Sequence, residues 1–230
     1  MKSKKIVTAL VVVTVMYCST LFAAEAKKAV KKKDTAESDQ LEFNMSPAIG
    51  LSATVYSEKR INGTRINGTW SIAQFDLGLN ATMIGIPWPT ASGIGVRWKR
   101  TMLMLDAEIG MGGKLKLKTK EGTASTKPEK ARSFLINALV GYTFKPLKNV
   151  YVIPAIGFGW AYHNITIDYE GIQGLRISIP LYLSTKYFFT DLVGIEATAL
   201  NSFSFSIFGG GFMNTFVLKV GPVFRFGVKV

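Results

Sequence analysis

Alternation of apolar and polar residues is the dominant pattern of this chain. In the last fifteen residues, FVLKVGPVFRFGVKV, every even-numbered position from Phe216 to Val230 is apolar, and lysine, arginine or glycine fills most of the odd positions. Only an extended strand directs successive side chains to opposite faces. The segment is therefore predicted to be a β-strand with one apolar face and one partly charged face.

The same alternation recurs along most of the chain. Apolar faces are found at 47–55, 73–83, 94–98, 103–111, 134–144, 152–162, 175–183, 195–205 and 216–230. The fourth run continues through Leu115 and Leu117, with lysines between them, before the pattern dissolves into a loop. Two Asn-Gly pairs in the tandem repeat RINGTRINGT, at 60–69, favour tight turns. With little helical periodicity between the runs, the chain is predicted to be all-β.

The first 26 residues have the pattern of a secretory signal peptide. Three lysines precede an apolar run from Ile6 to Phe22, and Ala24 and Ala26 form a small-x-small cleavage motif. A retained transmembrane helix is the alternative, because the apolar run approaches spanning length. The only cysteine, Cys18, lies in this segment, so the mature chain is expected to have neither disulfides nor thiol chemistry.

Composition then suggests which solvent the apolar strand faces meet. Hydrophobic residues make up 48% of the chain, yet no apolar run after Phe22 is long enough for a membrane helix. For an exported chain, alternating strands of this kind are typical of a barrel whose outer face meets lipid. We predict a disordered, basic periplasmic leader at 27–42 and a transmembrane antiparallel up-and-down β-barrel at 43–230.

The number of strands is constrained by parity. Nine candidate runs are present, whereas bacterial outer-membrane barrels have an even number of strands and both termini in the periplasm. The run at 91–98 is the shortest and is barely long enough to cross a membrane alone. We therefore predict eight strands, with ten as the alternative.

The alternating strands, the short turns KPLKN and YFFTD and the terminal run VFRFGVKV resemble the small bacterial outer-membrane β-barrel superfamily typified by the OmpA barrel, OmpX and OmpW. The resemblance covers residues 43–230. It implies residence in the bacterial outer membrane, with outer-membrane lipid as solvent and with the barrel-assembly machinery and periplasmic chaperones as partners during biogenesis. An aromatic last residue is usual in that superfamily, and Val230 departs from it. Fold likeness does not supply a role.

Charged residues on the inward face are the main chemical feature. An eight-stranded barrel is just wide enough to be filled by side chains, and unpaired buried charge is costly. A lumen plugged by ion pairs is therefore favoured over a polar conduit for small solutes. The predicted network comprises Asp76, Asp106, Glu108, Glu196, Arg97, Arg176, Lys186, Lys219 and Arg225.

Catalytic and metal chemistry find little support in the sequence. His163 is the only histidine. A serine nucleophile would need it as a base, but no local motif links His163 to Ser133, Ser184 or Ser202. No clustered ligands at metal spacing are present. We predict a protein that is not an enzyme, with no cofactor and no metal.

Two further groups of residues are assigned to surfaces. Aromatic residues near predicted strand ends are expected to form interfacial girdles; they are Trp70, Trp98, Trp160, Tyr151, Tyr187, Phe188 and Phe189. Basic residues are expected in external loops, where an anionic lipid or a host surface ligand is the candidate partner and nucleic acid is out of reach; they are Arg60, Arg65, Lys116, Lys118 and Lys120.

From these observations, we predict a non-enzymatic outer-membrane barrel with a structural or surface-interaction role. A narrow, porin-like channel for small or hydrophobic solutes is the alternative.

Overall fold

A computed structural model describes residues 40–57, 60–61, 64–65, 69–85, 87–88, 96–97, 100–118, 123–167, 170–206 and 211–229. Residues 39–145 and 149–230 form one compact unit. The predicted signal peptide at 1–26 and most of the predicted leader at 27–42 lie outside the described residues. Within those residues, no helix is long and apolar enough to span a membrane.

Eight long strands account for most of the described chain. They are β1 (Gln40–Ser57), β2 (Thr69–Ile84), β3 (Thr101–Met111), β4 (Lys130–Tyr142), β5 (Val150–Ile167), β6 (Glu170–Phe188), β7 (Val193–Ser206) and β8 (Phe212–Lys229). Seven shorter strands lie between them, at Arg60–Ile61, Thr64–Arg65, Pro87–Trp88, Val96–Arg97, Leu115–Lys118, Thr123–Thr126 and Phe144–Leu147.

The eight long strands form a closed antiparallel barrel. Each pairs with its neighbour in sequence, and β8 pairs with β1. Starting at Pro47, the pairings followed once around the barrel return to β1 at Ser57, ten residues further along. With eight strands, this stagger corresponds to a strand tilt of about 40°. The prediction of eight strands is confirmed, and the ten-strand alternative is wrong.

The short run at 91–98, the surplus one among the nine candidates, is not a barrel strand. Val96–Arg97 is the part of 91–98 that the structure describes, and it pairs with Pro87–Trp88 outside the barrel sheet. The run therefore belongs to the connection between β2 and β3. Its shortness was the signal that separated it from the true strands.

The barrel has two distinct ends. We call one the terminus end, because β1 begins and β8 finishes there; the connections 85–100, 143–149 and 189–192 are at this end. We call the other the loop end, with the connections 58–68, 112–129, 168–169 and 207–211.

The outer face of the barrel is apolar along its length. Large side chains point away from the lumen on every strand, and Leu51, Leu105 and Phe158 are 68%, 62% and 71% exposed. Soluble monomers do not expose a contiguous apolar surface of this extent. In β8, the residues from Phe216 to Phe226 follow the alternation expected from the sequence, with Val217 and Val223 buried inside.

A β-bulge after β3 reverses the expected orientation of the lysine-rich segment. Phe75 pairs with Met111, but Ile72 pairs with Leu115, so three residues of β2 face four residues of the other strand. The extra residue falls at Gly112 and Gly113, which have φ of +71° and +110°. Both values favour glycine. Leu115 is therefore buried inside, not on the outer face as simple alternation would have it.

Two aromatic side chains assigned to the girdles are inside the barrel, and a third, Trp70, is partly buried against interior apolar residues. Tyr151 and Phe188 are 3% and 1% exposed and pack edge-to-face with ring centroids 5.1 Å apart. Tyr187 and Phe189 do lie on the outer face. The assignment of Tyr151 and Phe188 was wrong because nearness to a strand end does not fix the face, whereas alternation from inward Lys186 places Phe188 inside.

The first strand begins earlier than predicted. Gln40 and Leu41 pair with Lys229 and Val228 of β8, so the sheet includes the last three residues assigned to the leader. The extension matters because it brings Glu42 into the barrel wall.

Candidate functional site in the lumen and at the loop end

The lumen contains two apolar clusters together with buried polar and charged side chains. The cluster at the terminus end consists of Ile84, Met102, Met104, Leu139, Tyr151, Ile153, Tyr182, Phe188, Leu200, Val217 and Val223. The cluster at the loop end consists of Tyr56, Ile72, Leu115, Leu135, Ala161, Ile165 and Met213. Inward positions on several strands supply the charged and hydroxyl side chains, which lie among these apolar residues.

Lys219 of β8 reaches across the lumen to two carboxylates on β3. Its Nζ atom lies 2.6 Å from Glu108 Oε1 and also contacts Asp106 Oδ1. Asp106 and Glu108 are two residues apart and so share the inward face of their strand. Gly78 leaves room for the lysine, because a Cβ atom there would lie 3.2 Å from Lys219 Cδ. Asn137 donates to Asp106 Oδ2 at 3.3 Å.

A second ion pair joins β6 to β7. Lys186 and Glu196 are directly opposite each other in the sheet, with Nζ 3.6 Å from Oε2. Glu196 Oε1 accepts hydrogen bonds from Ser184 at 2.5 Å and from the Tyr182 hydroxyl at 3.1 Å. Lys186 Nζ also donates to Thr82 Oγ1 at 3.2 Å. The paired charges are thus held by hydrogen bonds from neighbouring strands, as buried charges require.

Other members of the predicted network do not take part in these two ion pairs. Asp76 is buried, and a Cβ atom on Gly110 would lie against its carboxylate. Arg176 is buried toward the loop end, where it donates to the Gly211 carbonyl at 2.7 Å. The backbone of Arg97 belongs to a short strand outside the barrel sheet, but its side chain lies outside the described residues.

Arg225 lies at the terminus end and takes no part in these two ion pairs. It donates to the Asp191 carbonyl at 2.7 Å and to the Tyr151 hydroxyl at 3.0 Å, and its guanidinium lies 4.2 Å from the centroid of the Phe188 ring. Glu42 accepts a hydrogen bond from the same Tyr151 hydroxyl at 2.9 Å. This small cluster was missed from sequence because Glu42 was assigned to the leader and Tyr151 to a girdle.

Three polar residues that bind the buried charged side chains were also missed as site residues. Asn80 and Asn137 donate to Glu196 and Asp106, and Tyr182 contributes its hydroxyl to the Glu196 cluster. All three have inward parity, which is the signal that could have found them. A search for charged residues alone passes over the amides and hydroxyls that satisfy buried charges.

His163 is buried beside Tyr56. Its Nδ1 atom lies 3.0 Å from the Tyr56 hydroxyl, and the two rings meet edge-to-face with centroids 5.7 Å apart. The sheet places Ser133 directly opposite His163 in the β4–β5 pairing. Ser133 and His163 are 4% and 1% exposed and lie among the residues of the loop-end apolar cluster. Within the described residues, no group of three or more histidine, cysteine, aspartate or glutamate side chains could hold a metal ion.

The predicted external basic residues are at the loop end as far as they are described. Lys116 and Lys118 are exposed on the short strand Leu115–Lys118, which pairs with β2 on one side and with Thr123–Thr126 on the other. Arg60 and Arg65 pair through their backbones in a short hairpin whose two strands have two residues each. Their side chains lie outside the described residues. Lys120 lies outside the described residues.

A family model described as "Domain of unknown function (DUF2715)" matches residues 35–226. The chain belongs to this family. The match spans all of β1 to β7 and most of β8, so the DUF2715 region and the barrel coincide. A search of curated protein sequences gave no match.

Solved structures show what this DUF2715 chain resembles in fold. Neisserial surface protein A is 12% identical, with 80% of this chain and 97% of that chain covered and a TM-score of 0.52. The outer-membrane protein OprG from Pseudomonas aeruginosa is 10% identical, with 82% and 96% covered and a TM-score of 0.46. Ail, the attachment invasion locus protein of Yersinia pestis, is 11% identical, with 80% and 98% covered and a TM-score of 0.40. The resemblance to small outer-membrane β-barrels is confirmed at the level of fold.

Proposed function

We propose that this DUF2715 protein is a non-enzymatic, integral outer-membrane barrel that acts through its loop-end surface and does not conduct solutes through its lumen. The observation that carries the proposal is the closed, polar core of the barrel. Glu108 and Lys186 are 0% exposed and Asp106 is 1% exposed to a water-sized sphere. A water-filled channel would leave side chains at this depth accessible.

Membrane residence is supported by the outer face. Apolar side chains surround the barrel, while Asp106, Glu108, Lys186, Glu196 and Lys219 point inward and form ion pairs. This is the reverse of a soluble protein, and it matches the requirement that a spanning structure satisfy its backbone internally and close its sheet edges.

An enzymatic role is not favoured by the geometry around His163. Its ring contacts a tyrosine hydroxyl, and the opposite serine, Ser133, is buried with it among apolar side chains. A hydrolase would need a site at which substrate, nucleophile and base meet. The buried pair is better explained as part of the packing at the loop end.

Surface display predicts a specific pattern of labelling on intact cells. In a Cys18→Ser background, Thr126→Cys at the loop end should react with a membrane-impermeant maleimide, because Thr126 is exposed on the hairpin beyond the barrel. The matched control, Asn149→Cys at the terminus end, should react only after the outer membrane is permeabilised. The reverse pattern would contradict the proposed orientation.

A further inference from the structure

Four basic side chains form an outward-facing patch at the loop end, which we call the basic wall. It consists of Lys116 and Lys118 on the short strand after the bulge and of Lys130 and Arg132 at the start of β4, all exposed. The cations belong to one sector of the barrel, because the short strand pairs with β2 and Arg132 pairs with Met111 of β3.

The bulge is what directs Lys116 and Lys118 outward. If the strand continued from Met111 with regular alternation and no bulge at Gly112 and Gly113, the two lysines would point over the lumen. Leu115 instead packs inside against the loop-end cluster, so its neighbours on the strand point away from it. A side chain at Gly113 would collide with the Ala73 carbonyl, which ties this orientation to glycine.

The basic wall lies directly beyond the apolar belt. At the loop end of this sector the belt finishes with Phe75, Met111 and Phe134, which are 45%, 40% and 39% exposed. Arg132 is two residues from Phe134 on the same face of β4, a separation of about 7 Å. That distance corresponds to the step from acyl chains to headgroups in a leaflet.

The charge of this sector is strongly one-sided. In the segments 69–75, 111–118 and 123–134, Glu129 is the single carboxylate against six lysines and arginines. Among the described residues, no carboxylate forms an ion pair with any member of the basic wall. Asp106, Glu108 and Glu196 pair with inward lysines, and the basic wall faces away from the lumen, so the partner of these cations is expected outside the barrel.

We propose that the basic wall binds the phosphates of anionic lipid headgroups in the leaflet at the loop end. Basic side chains at headgroup depth attract anionic lipid, and arginine adds bidentate recognition of phosphate. This inference depends on the barrel lying in a membrane but not on its lumen being closed, so a conducting barrel would leave it intact.

The test uses the full chain refolded in lipid vesicles. Trp70, Trp88 and Trp98 are replaced by phenylalanine, so that Trp160 is the single tryptophan. Trp160 faces outward on β5 and pairs with Ile136 of β4, which is four residues from Arg132 on the same face of that strand. Quenching by brominated phosphatidylglycerol is compared with quenching by brominated phosphatidylcholine at equal mole fraction. We expect a preference of about threefold or more for the anionic lipid at low ionic strength, falling toward none in about 1 M salt.

Two variants separate the patch from general charge effects. Lys116→Gln, Lys118→Gln, Lys130→Gln and Arg132→Gln together should abolish the preference, whereas the charge-preserving set of three Lys→Arg changes with Arg132→Lys should retain it. Heat-modifiable mobility on a denaturing gel verifies that each variant has folded.

A third variant removes the same number of charges from the N-terminal basic segment: Lys28→Gln, Lys31→Gln, Lys32→Gln and Lys33→Gln. It should leave the preference unchanged. Equal quenching by the two lipids in the unmodified chain, an unchanged preference in the glutamine variant of the basic wall, or loss confined to the N-terminal variant would each overturn the proposal.

Discussion

Replacing Lys219 with methionine is expected to lower the free energy of unfolding by about 3–5 kcal/mol, because it leaves two buried carboxylates without their cation. Asp106 and Glu108 are 1% and 0% exposed, and both contact the lysine Nζ atom. Because both are enclosed, bulk solvent cannot compensate for the lost charge. The measurement is urea unfolding of the refolded barrel in lipid vesicles, followed by tryptophan fluorescence.

Two controls distinguish the ion pairs from the loss of a lysine in general. Lys116→Met removes an exposed lysine and should change stability by no more than about 0.5 kcal/mol. Adding Asp106→Asn and Glu108→Gln to Lys219→Met removes the stranded charges and should recover most of the loss. A Lys219→Met barrel as stable as the Lys116→Met barrel would show that the ion pairs of the lumen do not stabilise the barrel.

Replacing Phe158 with arginine is expected to cost about 2–4 kcal/mol in lipid, since a charge on the lipid face is most costly near the bilayer midplane. Phe158 is 71% exposed on the outer face of β5, in the middle of the strand. On a soluble barrel, the same substitution at so exposed a position would have little effect. The effect therefore reports the solvent of the outer face, and it is measured with the same unfolding assay.

Thr69→Arg is the matched control for depth. Thr69 is exposed at the loop-end limit of β2, beyond the apolar belt and beside Lys118 in the sheet. An arginine there should cost about 0–1 kcal/mol. Equal effects of the two substitutions would argue against a membrane-embedded belt.

Strand number and inward faces could be predicted because alternation has a fixed period. Each strand that spans the barrel keeps one face inside for its whole length, so Asp106, Lys186 and Lys219 were assigned inward from parity alone. An outer-membrane barrel also has an even number of strands, so one of the nine runs had to be excluded, and the shortest was 91–98. These inferences depend only on backbone geometry and on where apolar side chains can be placed.

Parity fails where the backbone itself departs from regular pairing. The bulge at Gly112 and Gly113 shifts the face by one residue, and a sequence with two adjacent glycines does not say whether they form a turn or a bulge. Alternation also does not predict which inward charged residues pair with each other, because that depends on the stagger between strands that are distant in sequence. Lys219 meets β3 across the lumen, whereas Arg225, on the same strand, binds Asp191 at the terminus end.

The barrel fold does not by itself determine the function, which depends on the lumen and on the surface. Barrels of this design differ in whether the interior is open, whether charged groups line a path and what the loops present. In this chain, hydrogen-bonded ion pairs and two apolar clusters occupy the interior, while the cations of the basic wall, which form no ion pair with any described residue, lie outside it. Both features favour a role at the surface.

Conductance of the refolded full-length chain in a planar bilayer tests the closed lumen most directly. Protein verified as folded by its heat-modifiable mobility should insert without producing discrete current steps in concentrated potassium chloride. Reproducible unitary steps whose size rises with salt concentration would contradict a lumen sealed by Lys219, Asp106, Glu108, Lys186 and Glu196.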